Sequence, residues 1–237
     1  MNYNQTDQSI SGEAKAWDNG SAEDDVRNNF IIPEILNLFK KYEPKQILDI
    51  GTGTGYIPRK LQQALTYSAH WTLLDLNIER LAFAKRHKPP SMQMTCIPGD
   101  LSALDSTSCK FDSALLTFTL LEVENPTAMI EGAINLLADR GFLVIAMPDG
   151  WKDVLTAASD DRNLPARFLT EAVTLPKIDK FTGSPYPFST MRTETLITTA
   201  LRHNCVLESL EQGGPHGEAY MLVFQRKQDT NSAAAYG

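Results

Sequence analysis

The chain has 237 residues, 42% hydrophobic and 22% charged, a balance that suits a globular protein with a sizeable core and excludes wholesale disorder. With 29 acidic against 22 basic residues the formal charge is −7, so the overall field repels polyanions and offers no basic footprint for nucleic acid. Cys96, Cys109 and Cys205 lack CxxC or paired Cys/His spacing, no apolar run is long enough to span a membrane, and the polar MNYNQTDQSISG start is no signal peptide. A soluble cytoplasmic protein without structural metal is the expectation.

Taken in chain order, the first dozen residues are polar and expected to fray. QILDI (46–50) is an apolar strand candidate that runs into Gly51-Thr52-Gly53-Thr54-Gly55, with Pro58 near the first turn of a following helix. WTLLD (71–75) is the second strand, and Asn77 is placed to cap the helix IERLAFAKRH, whose basic end at Lys85 to Lys88 complements the helix dipole. MQMTCI (92–97) leads to Pro98-Gly99-Asp100-Leu101, and FDSALL (111–116) is the fourth strand. Asn125-Pro126 starts a helix with Met129, Ile130, Ala133, Ile134 and Leu137 on one face, closed by Gly141 before the strand GFLVIAM (141–147).

Residues 148–192 hold no convincing strand and read as a substrate-facing insertion or as plain decoration. A helix over Thr193–Asn204 precedes CVLESLEQ and AYMLVFQRK, joined through Gly213-Gly214-Pro215-His216-Gly217 as an antiparallel hairpin. The tail 228–237 is expected to be disordered. Since the earlier strands are apolar nearly throughout, both their faces should be covered. The pattern predicts an α/β, doubly wound, mostly parallel seven-stranded sheet with an antiparallel C-terminal hairpin.

The glycine turn is the main chemical signal. Glycines at the end of a first strand bring backbone N–H groups and a helix N-terminus close to a ligand. A dinucleotide-binding turn would have its third glycine where Tyr56 stands, and no Gly-Lys-Ser/Thr follows for a phosphate loop. Asp75 ends the second strand, where a doubly wound sheet would place it in the same crevice, able to accept from two ribose hydroxyls; a solvated carboxylate at a strand end is the plainer role. Asp100 is positioned to accept from an exocyclic amino group and the Leu101 N–H to donate to a purine nitrogen; an Asx turn is the plainer role for Asp100.

Together, ILDIGTGTG, LLDL, GDL, FDSALLTFTLLEV and GFLVIAMPD resemble the ordered motifs of a class I S-adenosylmethionine-dependent methyltransferase of the small-molecule type, across about residues 45–150. The resemblance implies a Rossmann-like fold with S-adenosylmethionine as cofactor. It implies that Gly51, Gly53 and Gly55 pass beneath the methionine part, with Asp49 supporting the turn and the amino group. Asp75 would hold the ribose, Leu76 would pack on adenine, Asp100 and Leu101 would read its edge, and Thr117 and Phe118 would border the sulfonium. AEDDVRNNFIIPEIL resembles the leading helix of such enzymes, making Arg27 either a partner for the cofactor carboxylate or one half of an ion pair with Asp24 or Asp25. Trp17 either helps cover the cofactor or packs ordinarily.

The same resemblance divides the chain into an N-terminal helical segment (1–44) that covers the cofactor, a cofactor-binding domain (45–227) containing the 148–192 insertion, and the tail. Methyl transfer from a sulfonium is an in-line displacement that needs a base only when the acceptor must lose a proton. Glu122 is the leading base candidate, ahead of His203 and His216. Tyr186, Phe188 and Arg192 either line the acceptor pocket or serve packing and helix contacts. No Asn-Pro-Pro-aromatic signature follows the fourth strand, which with the acidic charge favours a small-molecule acceptor over nucleic acid. The alternatives are a nicotinamide-dependent oxidoreductase and a non-catalytic cofactor-binding partner subunit; acceptor identity and oligomeric state are open at this point.

Overall fold

The structure is a computed structural model that describes residues 12–105, 110–169, 173–178 and 185–228; at 152, 176–178 and 185–188 the description covers the backbone alone. The expected frayed start but for Gly12, which begins a helix, and all of the expected disordered tail but Gln228 lie outside the described residues, as does Cys109.

Helix α1 (Gly12–Ala22) leads through a π-helical turn, Arg27–Ile31, into α2 (Ile32–Tyr42). The α/β core follows as β1 (Gln46–Ile50), α3 (Tyr56–Ala64), β2 (His70–Asp75), α4 (Ile78–Arg86), β3 (Gln93–Pro98), β4 (Phe111–Thr117), α5 (Pro126–Asn135) and β5 (Leu137–Pro148). Beyond it lie α6 (Gly150–Ala157), α7 (Leu164–Phe168), β6 (Val173–Ile178), β7 (Pro185–Thr190), α8 (Thr193–Arg202), β8 (Cys205–Gly213) and β9 (Ala219–Arg226). Seven strands form one sheet in the order β3-β2-β1-β4-β5-β9-β8, parallel up to β5 and antiparallel across β9 and β8. This is the doubly wound sheet with an antiparallel hairpin that the sequence pattern predicts.

The order reverses at β1, so the carboxyl ends of β1 and β4 flank a crevice, the usual ligand position in such sheets. Apolar side chains on the two faces of β1, β4 and β5 enter separate layers: Leu48, Ile50, Leu116 and Ile145 pack on the α5 and α8 side, while Ile47, Leu115 and Val144 pack with Ile35, Phe39 and Leu61 of α2 and α3. Burial on both faces holds for these central strands and not for edge strand β3, whose residues are half-buried or exposed.

Two expectations are corrected. The helix starting at Asn125 ends at Asn135 rather than at Gly141, and Leu137 is already in β5, paired with Phe111 before the register shifts. Gly141 belongs to that irregularity: a Cβ there would stand 2.9 Å from the Phe111 carbonyl oxygen and 3.0 Å from that of Ala138. The 148–192 stretch does contain strands, since β6 and β7 pair antiparallel over a small separate core of Val154, Leu164, Phe168, Val173 and Leu175. Pro176, Pro185 and Pro187 suppress the strand signal, yet a two-stranded ribbon has only edge strands, where missing N–H groups are tolerated.

Candidate active site

A cavity of about 430 Å³ opens at the carboxyl ends of β1, β2 and β4. Its floor is the glycine turn. Gly51, Gly53 and Gly55 adopt φ of 68°, 57° and 68°, the left-handed region that glycine enters without steric cost. The Gly51 and Thr52 N–H groups donate to the Leu74 carbonyl at 2.8 and 3.1 Å, and the Thr119 hydroxyl donates to the Ile50 carbonyl at 2.6 Å. The turn is thereby tied to both neighbouring strands.

Asp49, at 1% exposure, lies beneath the turn. Its Oδ2 accepts from the Thr52 hydroxyl at 2.5 Å, and its Oδ1 is buried without a hydrogen-bond partner. Burial pushes the carboxyl up to about 7; the Thr52 hydrogen bond opposes this, the charge of Asp75 adds to it, and Arg27 pulls the other way. A buried carboxyl oxygen with no partner is a costly arrangement that a cationic or N–H-bearing ligand group would relieve.

Asp75 lines the cavity, where its Oδ2 accepts from the Gly53 N–H at 2.6 Å and its Oδ1 from the Asn77 N–H at 2.8 Å. It stabilises the turn as well as facing the crevice. Asn77 in turn caps α4, accepting from the Glu79 and Arg80 N–H groups at 3.0 and 3.1 Å. Asp100 also lines the cavity; Ser102 donates to its Oδ1 from the backbone at 2.8 Å and from the hydroxyl at 2.5 Å. Those bonds hold its carboxyl below the usual range and form the Asx turn.

Among the other sequence candidates, Leu76, Thr117, Phe118 and Glu122 all border the cavity, with Leu76 77% exposed at its rim. Phe118 takes a φ of 63° at the exit of β4, an uncommon conformation for an aromatic residue and one often found at functional sites. The Arg27 guanidinium stands 5.1 Å from the centre of its ring and 3.6 Å from Asp24. Burial pulls Arg27 below the usual arginine range, against the charge of Asp24. Gly55 packs on Ala84 and Leu73 beneath the turn. Leu101 lies off the cavity wall, against Gly132 of α5. Arg192 lies in a different groove between α5 and α8, paired with Glu194 and donating to the Leu169 carbonyl at 3.3 Å. Tyr186 and Phe188 fall on β7, where their side chains lie outside the described residues.

Apart from Trp17 and Asp24, which the sequence already singles out, several site residues carry no motif signal. Helix α1 brings Trp17 to the cavity, and Ser21 and Asp24 follow it there. Arg80 of α4 lies 3.8 Å from the centre of the Trp17 ring and donates to Glu13 at 2.6 Å. Asp18 accepts from the Thr54 hydroxyl at 2.8 Å and pairs with Arg59. Each pair joins residues far apart in sequence, which local periodicity cannot anticipate. Among the described residues no cluster of His, Cys, Asp or Glu suits a metal ion, and no helix is long and apolar enough to cross a membrane.

The sheet order, glycine turn and row of acids at the strand ends define a class I, Rossmann-like methyltransferase fold. Residues 47–141 match the family described as Methyltransferase domain. Magnesium protoporphyrin IX methyltransferase from Synechocystis PCC 6803, solved with bound S-adenosylhomocysteine, shares the fold at a TM-score of 0.66 and 16% identity, covering 92% of this chain and 96% of that chain. The N-methyltransferase NodS from Bradyrhizobium japonicum WM9 gives 0.57 and 14%, covering 86% and 99%. An S-adenosylmethionine-dependent methyltransferase from Methanosarcina mazei gives 0.60 and 17%, covering 81% and 98%. No curated protein matches the sequence.

Proposed function

We propose that the protein transfers the methyl group of S-adenosylmethionine to an O, N or C atom of a small-molecule acceptor. One observation carries the site assignment: the unpartnered, buried Asp49 oxygen lies below a three-glycine turn in a cavity that also presents Asp75 and Asp100. These residues fit the cofactor. Asp49 would meet its amino group, Asp75 its ribose hydroxyls and Asp100 the edge of its adenine. Arg27 is the side chain suited to its carboxylate, and Leu76 offers an apolar surface to the adenine ring. When bound, the cofactor supplies an electrophilic methyl group on a sulfonium.

The residues of this chain then orient and exclude water. Trp17 and Phe118 give the cavity apolar walls, and alignment of the two reactants can supply much of the rate enhancement of an in-line displacement. Glu122, exposed on the rim just past β4, is the proposed proton acceptor for an acceptor that must be deprotonated. The 1–44 segment serves as the cofactor cover. The 148–192 insertion is the proposed acceptor side, with β7 packed against the turn Thr119–Leu121 that borders the cavity. The acidic net charge supports a small molecule rather than nucleic acid, and a cytoplasmic setting accords with the free cysteines. The named acceptor of the Synechocystis relative is also a small molecule.

Calorimetry with S-adenosylhomocysteine, followed by a labelled-methyl screen of metabolites, tests this reading. Saturable binding and label transfer are expected. Absence of binding to either form of the cofactor would overturn the site assignment, and binding without turnover across a broad panel would favour a non-catalytic partner subunit. The nicotinamide reading gains no support from the site, because Tyr56 takes the position where a dinucleotide turn has glycine.

A further inference from the structure

Tyr56 does more than occupy that position. It begins α3 directly after the glycine turn, at 8% exposure, and its hydroxyl donates to Asn28 Oδ1 at 2.8 Å. From its other side Asn28 Nδ2 donates to the main-chain carbonyls of Asp24 at 2.8 Å, Ser21 at 3.0 Å and Ala22 at 3.2 Å. Ser21 and Ala22 are the last residues of α1, where a helix leaves carbonyls without an internal partner. Asn28 therefore caps α1 with its amide while Tyr56 holds the carbonyl end of the same side chain.

Asn28 is well placed to be the fixed point of this chain of contacts. It belongs to the π-helical turn Arg27–Ile31, whose Phe30 and Ile31 are buried, and Phe30 lies against Gly213 at the end of β8, so close that a Cβ at Gly213 would overlap its ring. A π-helical turn is rare and tends to occur at functional sites, because its wider backbone re-aims the side chains it carries. Here one such turn carries Arg27 into the cavity and Asn28 toward Tyr56 and α1.

We propose that Tyr56 and Asn28 are positioning residues that act as one unit, setting the end of α1 over the glycine turn so that Ser21, Asp24 and Arg27 form the cavity wall. The inference rests on the cofactor reading of that cavity. Neither residue is assigned a direct contact with the reacting groups. The Tyr56 hydroxyl acts through Asn28, and Asn28 acts through the carbonyls that close α1.

The test is a double-mutant cycle on S-adenosylhomocysteine affinity, using Tyr56→Phe, Asn28→Ala and the double variant, with thermal melting recorded in parallel. Tyr56→Phe keeps the buried ring and removes only the hydroxyl. Each single change should weaken binding roughly three- to tenfold, the scale of one or two hydrogen bonds. The double variant should bind no worse than the weaker single variant, because the two residues serve one linkage. Singles that bind within twofold of the unaltered protein, or effects that multiply independently, would overturn the proposal, as would a loss of melting temperature with affinity unchanged. If Asn28→Ala does not fold, Tyr56→Phe decides on the same threshold. Failure of the unaltered protein to bind the ligand would instead overturn the cofactor reading, and this inference with it.

Discussion

Trp17 covers Gly53: a methyl group on the Gly53 Cα would stand 3.0 Å from the indole Nε1. The relationship makes glycine necessary for two separate reasons. Its φ of 57° is strained for any residue with a Cβ, and the space above it is shared between the indole and the cavity. Gly53→Ala is therefore expected to fold, with a loss of about 1–2 kcal/mol from the backbone conformation, while cofactor affinity falls at least tenfold as Trp17 is displaced. Thermal melting and calorimetry on the same sample separate the two effects. Gly51→Ala should differ, since a Cβ there overlaps the Thr119 side chain that anchors the turn to β1, and loss of folding is its expected outcome.

Asp75 accepts the N–H groups of Gly53 and Asn77, so its carboxylate organises the turn before any ligand arrives. Asp75→Ala strands both donors and should cost roughly 1–3 kcal/mol of stability as well as weakening cofactor binding. A variant with full stability and reduced affinity would show that Asp75 serves the ligand alone. Urea denaturation beside a binding titration makes the distinction.

The difference between what could and could not be read in the sequence follows from range. QILDI and FDSALL are recognisable as central strands because their covered faces demand continuous apolar residues, and they are β1 and β4 almost residue for residue. The glycine turn and the acid at the end of β2 carry local signatures too. Helix α1 does not. Gly12, Asn19 and Gly20 weaken its helical pattern, and it is held in place by Asp18 and Glu13, whose partners Thr54 and Arg80 lie 36 and 67 residues away. Arg192 shows the converse: the resemblance leaves it either in the acceptor pocket or in contacts at a helix start, and the fold turns it toward Glu194 in the first turn of α8, in another groove.

Gly213 and Phe30 join the C-terminal hairpin to the turn that carries Arg27 and Asn28. A Cβ at Gly213 would overlap the Phe30 ring, which is 9% exposed and has little room to retreat. Gly213→Ala should destabilise the protein by about 1–3 kcal/mol through overpacking. Adding Phe30→Leu should recover part of that loss, because the smaller side chain frees the overlapped volume. Equal stability of the single and double variants in urea would mean that strain at this contact is relieved elsewhere.

The buried Asp49 predicts a pH dependence with a definite sign. Its carboxyl is raised from 3.8 to about 7 in the folded chain, mainly by burial and further by Asp75, while Thr52 and Arg27 oppose the shift. The folded state therefore holds this proton more tightly than the unfolded state, and the contribution of Asp49 to stability falls as pH rises from about 4 to about 7, then levels off. Asp49→Asn keeps the shape and removes the titration, so the stability of the unaltered protein relative to this variant should decline by a few kcal/mol across that window. Ligand binding should run the other way. A cationic amino group beside Asp49 favours the ionised carboxylate, so affinity for S-adenosylhomocysteine should rise between pH 5.5 and 7.5, with proton release, and the rise should flatten in Asp49→Asn. Titrations in buffers of different ionisation enthalpy count the released protons directly; an affinity profile identical in both proteins would place the responding group elsewhere.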